Sequence, residues 1–293
     1  MSFNFNLSYS YDDIIRSLLL LKKNYSHVVH IETIGISHDH REIPLVKIGK
    51  DNPGPLYLAG VHARESINPV VLLACMDKLI ENYYAKQIPE LENYTLYFIP
   101  LLNPDGYEIA TNGYDSIKDQ SLKKALKKCK VDASEFKYNA KGIDINRNFD
   151  CKSYVKSKTS GTKMSEPETK ALVHACELYH FMGMIDFHSR GNSIYYYREA
   201  MSDDYNQNQL EIAQMLSKIT GYHLNIISDE NPDQKSGGNT VHYFSEHFSL
   251  PALTIETIED EATFPLSTDY RKTVYEQIKK IPLEFLKILI AKD

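Results

Sequence analysis

The stretch Ala59-Gly60-Val61-His62-Ala63-Arg64-Glu65 sets an imidazole and a carboxylate three residues apart, directly after an apolar run. Imidazole nitrogen and carboxylate oxygen both bind Zn²⁺ at about 2 Å, and a spacing of three lets His62 and Glu65 face one side of a tight turn. Such a pair needs a distant third ligand. His188 is the candidate, because Asp186-Phe187-His188-Ser189 continues the apolar run Met182-Gly183-Met184-Ile185 and strand-end residues of α/β proteins tend to line sites. By itself the pair is weak evidence, since eleven histidines and thirty-nine acidic residues produce such spacings by accident.

Two further polar clusters bear on chemistry. In Gly142-Ile143-Asp144-Ile145-Asn146-Arg147-Asn148-Phe149, the Arg147 guanidinium has the planar fork that suits a carboxylate, and Asn146 adds an amide donor beside it. Together they could grip a terminal carboxylate, and a surface salt bridge is the ordinary alternative. In Leu253-Thr254-Ile255-Glu256-Thr257, an acid ends a buried-looking strand. An ionised Glu256 there needs a partner, a solvated cleft or a raised pKa, each of which suits a general base beside a metal. Turned to solvent, it would do nothing.

The elements that must position these residues follow from periodicity. Tyr11 to Lys23 reads as an amphipathic helix with Ile14, Ile15, Leu18, Leu19 and Leu21 as its buried stripe. Short apolar runs at Val28–Ile31, Ile43–Ile48, Leu56–Ala59 and Leu96–Pro100 read as strands, and Pro69–Tyr84 as a well-buried helix. Ser165-Glu166-Pro167-Glu168 carries the Ser and Glu of a capping box and opens a helix to about His180. Strands at 183–187 and 194–197, a helix at 204–220, strands at 223–227 and 252–256, and a helix over 267–291 with a break at Pro282 complete the order. Strands alternating with helices predict an α/β fold: a central twisted sheet flanked by helices, mixed because the first strands are too close for helical crossovers.

Length and composition narrow the classes. A chain of 293 residues can bury one large core, and no linker tract or internal repeat divides it, so residues 1–293 are expected to form one domain. A net charge of −6 argues against a nucleic-acid partner. The basic stretch Lys123 to Lys130 is the local exception, expected as a solvated helix face. No apolar run approaches the roughly 20 residues of a membrane span, and no signal peptide is evident at Met1 to Asn6, which predicts no membrane association and a cytoplasmic location. Cys75, Cys129, Cys151 and Cys176 lack paired spacing and read as reduced thiols.

His62-x-x-Glu65, Asn103-Pro104-Asp105-Gly106, Gly142-Ile143-Asp144-Ile145-Asn146-Arg147-Asn148, His188-Ser189 and Thr254-Ile255-Glu256, in this order, resemble the zinc carboxypeptidase family typified by pancreatic carboxypeptidase A. The resemblance spans nearly the whole chain. It implies one zinc ion per chain, held by His62, Glu65 and His188, and a peptide substrate. It further implies Glu256 as proton acceptor, Asn146 and Arg147 on the substrate carboxylate, Arg64 in the neighbouring subsite, and Asp144 behind His62. Asn103 to Gly106 is expected as a turn that shapes the site.

The chain departs from the family in two places. The oxyanion arginine is missing, since no Arg lies between Arg64 and Arg147, and Lys137 stands where compact bacterial relatives carry a cation. Asp233 occupies the expected position of the mobile tyrosine, so either a nearby residue such as Tyr243 serves or the role is absent. Thr240 lies in the stretch that floors the specificity pocket and indicates no clear preference. The segment from His188 to Tyr197 resembles bacterial γ-D-glutamyl-diamino acid peptidases, which implies a murein-derived peptide and gives Arg190 a substrate carboxylate to pair with. The alternatives are an ordinary carboxypeptidase, an aspartoacylase-like deacylase, and a zinc-bearing peptide-binding module without turnover.

Overall fold

The structure, a computed structural model, describes residues 4–50, 52–225 and 237–292. The first helix, α1 (Tyr11–Asn24), opens on a reciprocal cap: the Ser10 hydroxyl accepts from the Asp13 N–H, and the Asp13 carboxylate accepts from the Ser10 N–H. Its buried stripe is Ile14, Leu18 and Leu21. Leu19, expected in that stripe, is 56% exposed, because the helix touches the body along an i, i+4, i+7 line too narrow to include it.

Strands β1 (Val29–Ile36), β2 (Glu42–Ile48) and β3 (Gly54–Ala59) follow, then α2 (Ile67–Tyr84), β4 (Leu96–Ile99), α3 (Pro104–Asn112) and α4 (Gln120–Leu126). After them come α5 (Pro167–Leu178), β5 (Phe181–Ser189), β6 (Ser193–Tyr195), α6 (Asp203–Thr220) and β7 (His223–Asn225). The chain closes with α7 (Thr240–Phe248), β8 (Ala252–Thr257), α8 (Tyr270–Ile278) and α9 (Ile281–Lys292). The expected break in the last helical stretch falls between α8 and α9, ahead of Pro282. A proline in the first turn of α9 lacks only an N–H that would have had no partner.

The eight strands among the described residues form one mixed sheet in the order β1-β2-β4-β3-β5-β8-β6-β7. The central strands β4, β3, β5 and β8 are mutually parallel, so their carboxyl ends reach the same edge. Alternate residues feed two cores: Tyr57, Ala59, Ile185 and Phe187 join the cluster under α1, α2, α8 and α9, while Leu56, Leu58 and Met184 join the one under α5 and α7. A strand covered on both faces reads as a continuous apolar run, as β3 does. No helix among the described residues is long and apolar enough to cross a membrane, and all four cysteines are free thiols.

The expected capping box and the expected turn are both realised differently. Helix α5 has Glu166 as its N-cap without a side-chain capping bond. The Ser165 hydroxyl instead donates to Glu166 Oε1 at 2.6 Å. Asn103 to Gly106 is the start of α3, with Asn103 Oδ1 accepting from the Gly106 N–H at 3.0 Å. The amide nitrogen of Asn103 donates to the carbonyls of Val61 and Tyr138, each at 3.1 Å, and so ties the segment before His62 to the segment after Lys137.

Candidate active site

Beyond β3, Gly60 turns the chain at φ +66°, where an added Cβ would lie 2.6 Å from Leu101 Cδ1. The turn carries His62 over the carboxyl edge of the sheet, and Glu65 follows just ahead of α2. From β5, the parallel neighbour of β3, His188 reaches the same place. Glu65 Oε1 lies 2.7 Å from His62 Nδ1, and Glu65 Oε2 lies 2.9 Å from His188 Nδ1. One nitrogen or oxygen from each of the three residues falls within 4.8 Å of the others.

Each imidazole has a carboxylate behind it. His188 Nε2 is 2.9 Å from Asp186 Oδ2, and His62 Nε2 is 3.4 Å from Asp144 Oδ1, an ion-pair distance rather than a tight hydrogen bond. Asp186 was not anticipated as a partner of His188. The signal was the Asp-x-His spacing, which on a strand puts both side chains on one face. Burial disfavours charge on His188, but Asp186 and Glu65 outweigh it and raise the imidazole pKa well above its ordinary value. Burial likewise opposes ionisation of Glu65, and the two imidazoles overcome it and hold the carboxyl far below the usual range.

Thr240, at the first position of α7, is 1% exposed, and its hydroxyl donates to Asp186 Oδ2. It therefore braces the support of His188. Its backbone N–H donates to Asn146 Oδ1 at 3.2 Å, which leaves the amide nitrogen of Asn146 as the end for a ligand. Asn146 and Arg147 sit in a 3₁₀ turn (Ile145–Arg147) capped by Asp144. Asp144 also pairs with Lys137 at 2.7 Å. Burial opposes its charge, yet His62, Lys137 and Arg147 hold its pKa far below the carboxylate range. The Lys137 ammonium is thus at the site but already compensated by a carboxylate.

Glu256 is half-buried on β8 and is the register partner of His188 in the parallel β5–β8 pair. Neighbouring residues in register share a face, so both side chains leave the sheet on the same side. Arg64 and Arg190 converge on the Phe264 ring, with guanidinium carbons 4.3 and 5.9 Å from its centroid, and Arg190 lies 3.6 Å from Asp260. Tyr243 is not at the site. It is 4% exposed and packs against Phe149, His247 and Phe248 beneath the sheet. Asp233 lies outside the described residues.

Comparisons with known proteins bear on the family and the fold. The γ-D-glutamyl-L-diamino acid endopeptidase 1 of Lysinibacillus sphaericus is 25% identical over 83% of this chain and 64% of its own length. Carboxypeptidase B of Astacus astacus is 30% identical over 48% of this chain and 44% of its own. The chain thus spans less than two thirds of either relative. Bovine thrombin-activatable fibrinolysis inhibitor, solved in complex with tick carboxypeptidase inhibitor, superposes with a TM-score of 0.77 over 99% of both chains at 19% identity. The murein-tripeptide amidase MpaA of Escherichia coli O157 does so with 0.54 over 86% of this chain and 91% of its own at 17% identity. The zinc carboxypeptidase profile matches residues 14–282, and the chain belongs to the zinc carboxypeptidase family.

Proposed function

We propose that this protein is a zinc peptidase that hydrolyses an amide bond next to a substrate carboxylate, and that its substrates are γ-D-glutamyl-diaminopimelate bonds of murein-derived peptides. The observation that carries the chemistry is the convergence of two imidazole Nδ1 atoms on one buried carboxylate. Two imidazoles and a carboxylate are a donor set suited to a single catalytic zinc ion, leaving a further position open. When bound, such an ion supplies a Lewis acid that polarises a carbonyl and acidifies water.

The chain's own residues do the rest. Asp186 and Asp144 each face an Nε2, which favours the proton on that nitrogen and leaves the Nδ1 lone pair for the metal. Glu256 takes the proton of the attacking water and returns it to the leaving amine nitrogen, so the proton count closes. Asn146 and Arg147 hold the substrate carboxylate, Lys137 offers charge to the oxyanion, and Arg64 and Arg190 receive further carboxylates of the substrate. The substrate assignment is supported by the Lysinibacillus endopeptidase and by the two arginines at the rim.

Zinc-loaded protein is to be given a murein tripeptide and, in parallel, α-linked peptides with ordinary C-terminal residues. Release of free diaminopimelate from the first, with slower cleavage of the second, is the expected result. Brisk trimming of the α-linked peptides alone would replace the substrate assignment by an ordinary carboxypeptidase, a reading also supported by the Astacus relative.

A further inference from the structure

His38, Glu166 and Glu168 form a second group with one ligand atom from each within 4.8 Å of the others. His38 sits in the β1–β2 turn and the two glutamates at the start of α5. His38 Nε2 is 2.9 Å from Glu166 Oε2. One amide, Asn139 Nδ2, gathers both carboxylates, donating to Glu166 Oε2 at 2.6 Å and to Glu168 Oε2 at 3.2 Å. Glu168 is 0% exposed, and its Oε1 has no hydrogen-bond partner among the described residues.

The local charge does not balance. Arg41 is shared between Asp39 and Asp105, at 2.7 and 2.8 Å, so two aspartates already compete for it. Among the described residues, the imidazole of His38 is the one basic group paired with Glu166, and Glu168 has no ion pair of its own. An unneutralised carboxylate at zero exposure is costly, and the deficit is met by a proton or by a bound cation. Without a cation, burial pushes Glu168 up to about 7.

We infer that His38, Glu166 and Glu168 form a second divalent-metal site, separate from the His62–Glu65–His188 group. An imidazole with two carboxylates is a donor set for zinc or manganese. The metal would join the β1–β2 turn to the start of α5. It would also steady Asn139, whose Oδ1 accepts from the N–H groups of Lys141 and Ile143 just ahead of Asp144.

The test is metal stoichiometry by mass spectrometry of elements, on full-length protein stripped with chelator, reloaded with ZnCl₂ and desalted. Wild type is expected to retain two zinc ions per chain, and His38→Ala and Glu168→Gln one each. His188→Ala is also expected to retain one, now removable by adding His38→Ala. If Glu168→Gln does not fold, the partly exposed His38 provides the measurement alone. One ion in wild type that His38→Ala leaves in place would overturn the second site and leave Glu168 with a proton. Two ions with loss on His38→Ala but none on His188→Ala would instead count against the active-site reading while supporting this one.

Discussion

At the scale of residues, the arrangement separates groups that do chemistry from groups that hold them. Glu256→Gln keeps the shape of the side chain and removes the base, so turnover should fall about 10²- to 10⁴-fold with zinc content unchanged. Steady-state rates beside a metal assay check both halves, and undiminished turnover would remove Glu256 from its role. Asp186→Asn leaves His188 in place but takes the negative charge from behind its Nε2. Zinc affinity should drop about 10- to 100-fold, measured by competition with a chromogenic chelator. Thr240→Val removes only the hydroxyl that steadies Asp186 and should weaken binding in the same direction by less.

At the scale of elements, the site depends on turns that hold the ligands over the sheet edge. Gly60 occupies the left-handed region at φ +66°, two residues before His62. Gly60→Ala should cost about 1–2 kcal/mol from the backbone alone and lower zinc affinity as the turn shifts. Thermal unfolding with and without zinc separates the two effects. The spacing of His62 and Glu65, and the strand-end positions of His188 and Glu256, were legible because they depend on local periodicity. Less was legible where a role depends on what arrives from elsewhere in the chain. Tyr243 sat near the expected motif, yet Phe149 and Phe248 enclose it under the sheet. The bond from the Thr240 hydroxyl to Asp186, 54 residues away, had no signal in the local sequence. Leu19 fitted the helical stripe, but the width of the contact decided its exposure.

At the scale of the whole molecule, acid and base act on opposite members of one buried pair. Glu166 is opposed by burial but held down to about 2 by His38, Ser165 and Asn139, against an unfolded value of 4.5. It therefore stabilises the fold above pH 4.5, and that contribution is lost as the pH falls toward 2. Glu168, raised to about 7 from the same 4.5, binds a proton in the folded chain that the unfolded chain has released. In chelator its contribution is full below pH 4.5 and is lost as the pH rises through 7. Urea unfolding of metal-free protein should show the second decline in wild type and not in Glu168→Gln; an identical slope would refute it. The parallel β5–β8 register has a different kind of consequence. Asp186 pairs with Thr254 and His188 with Glu256, so support, ligand and base are spelled out two residues at a time on adjacent strands. Deleting a single residue within either strand acts like a shift of reading frame: the chemistry of that strand passes to the opposite face, into the apolar core. A change in loop length leaves that face intact, whereas within β5 and β8 only substitutions keep the message readable.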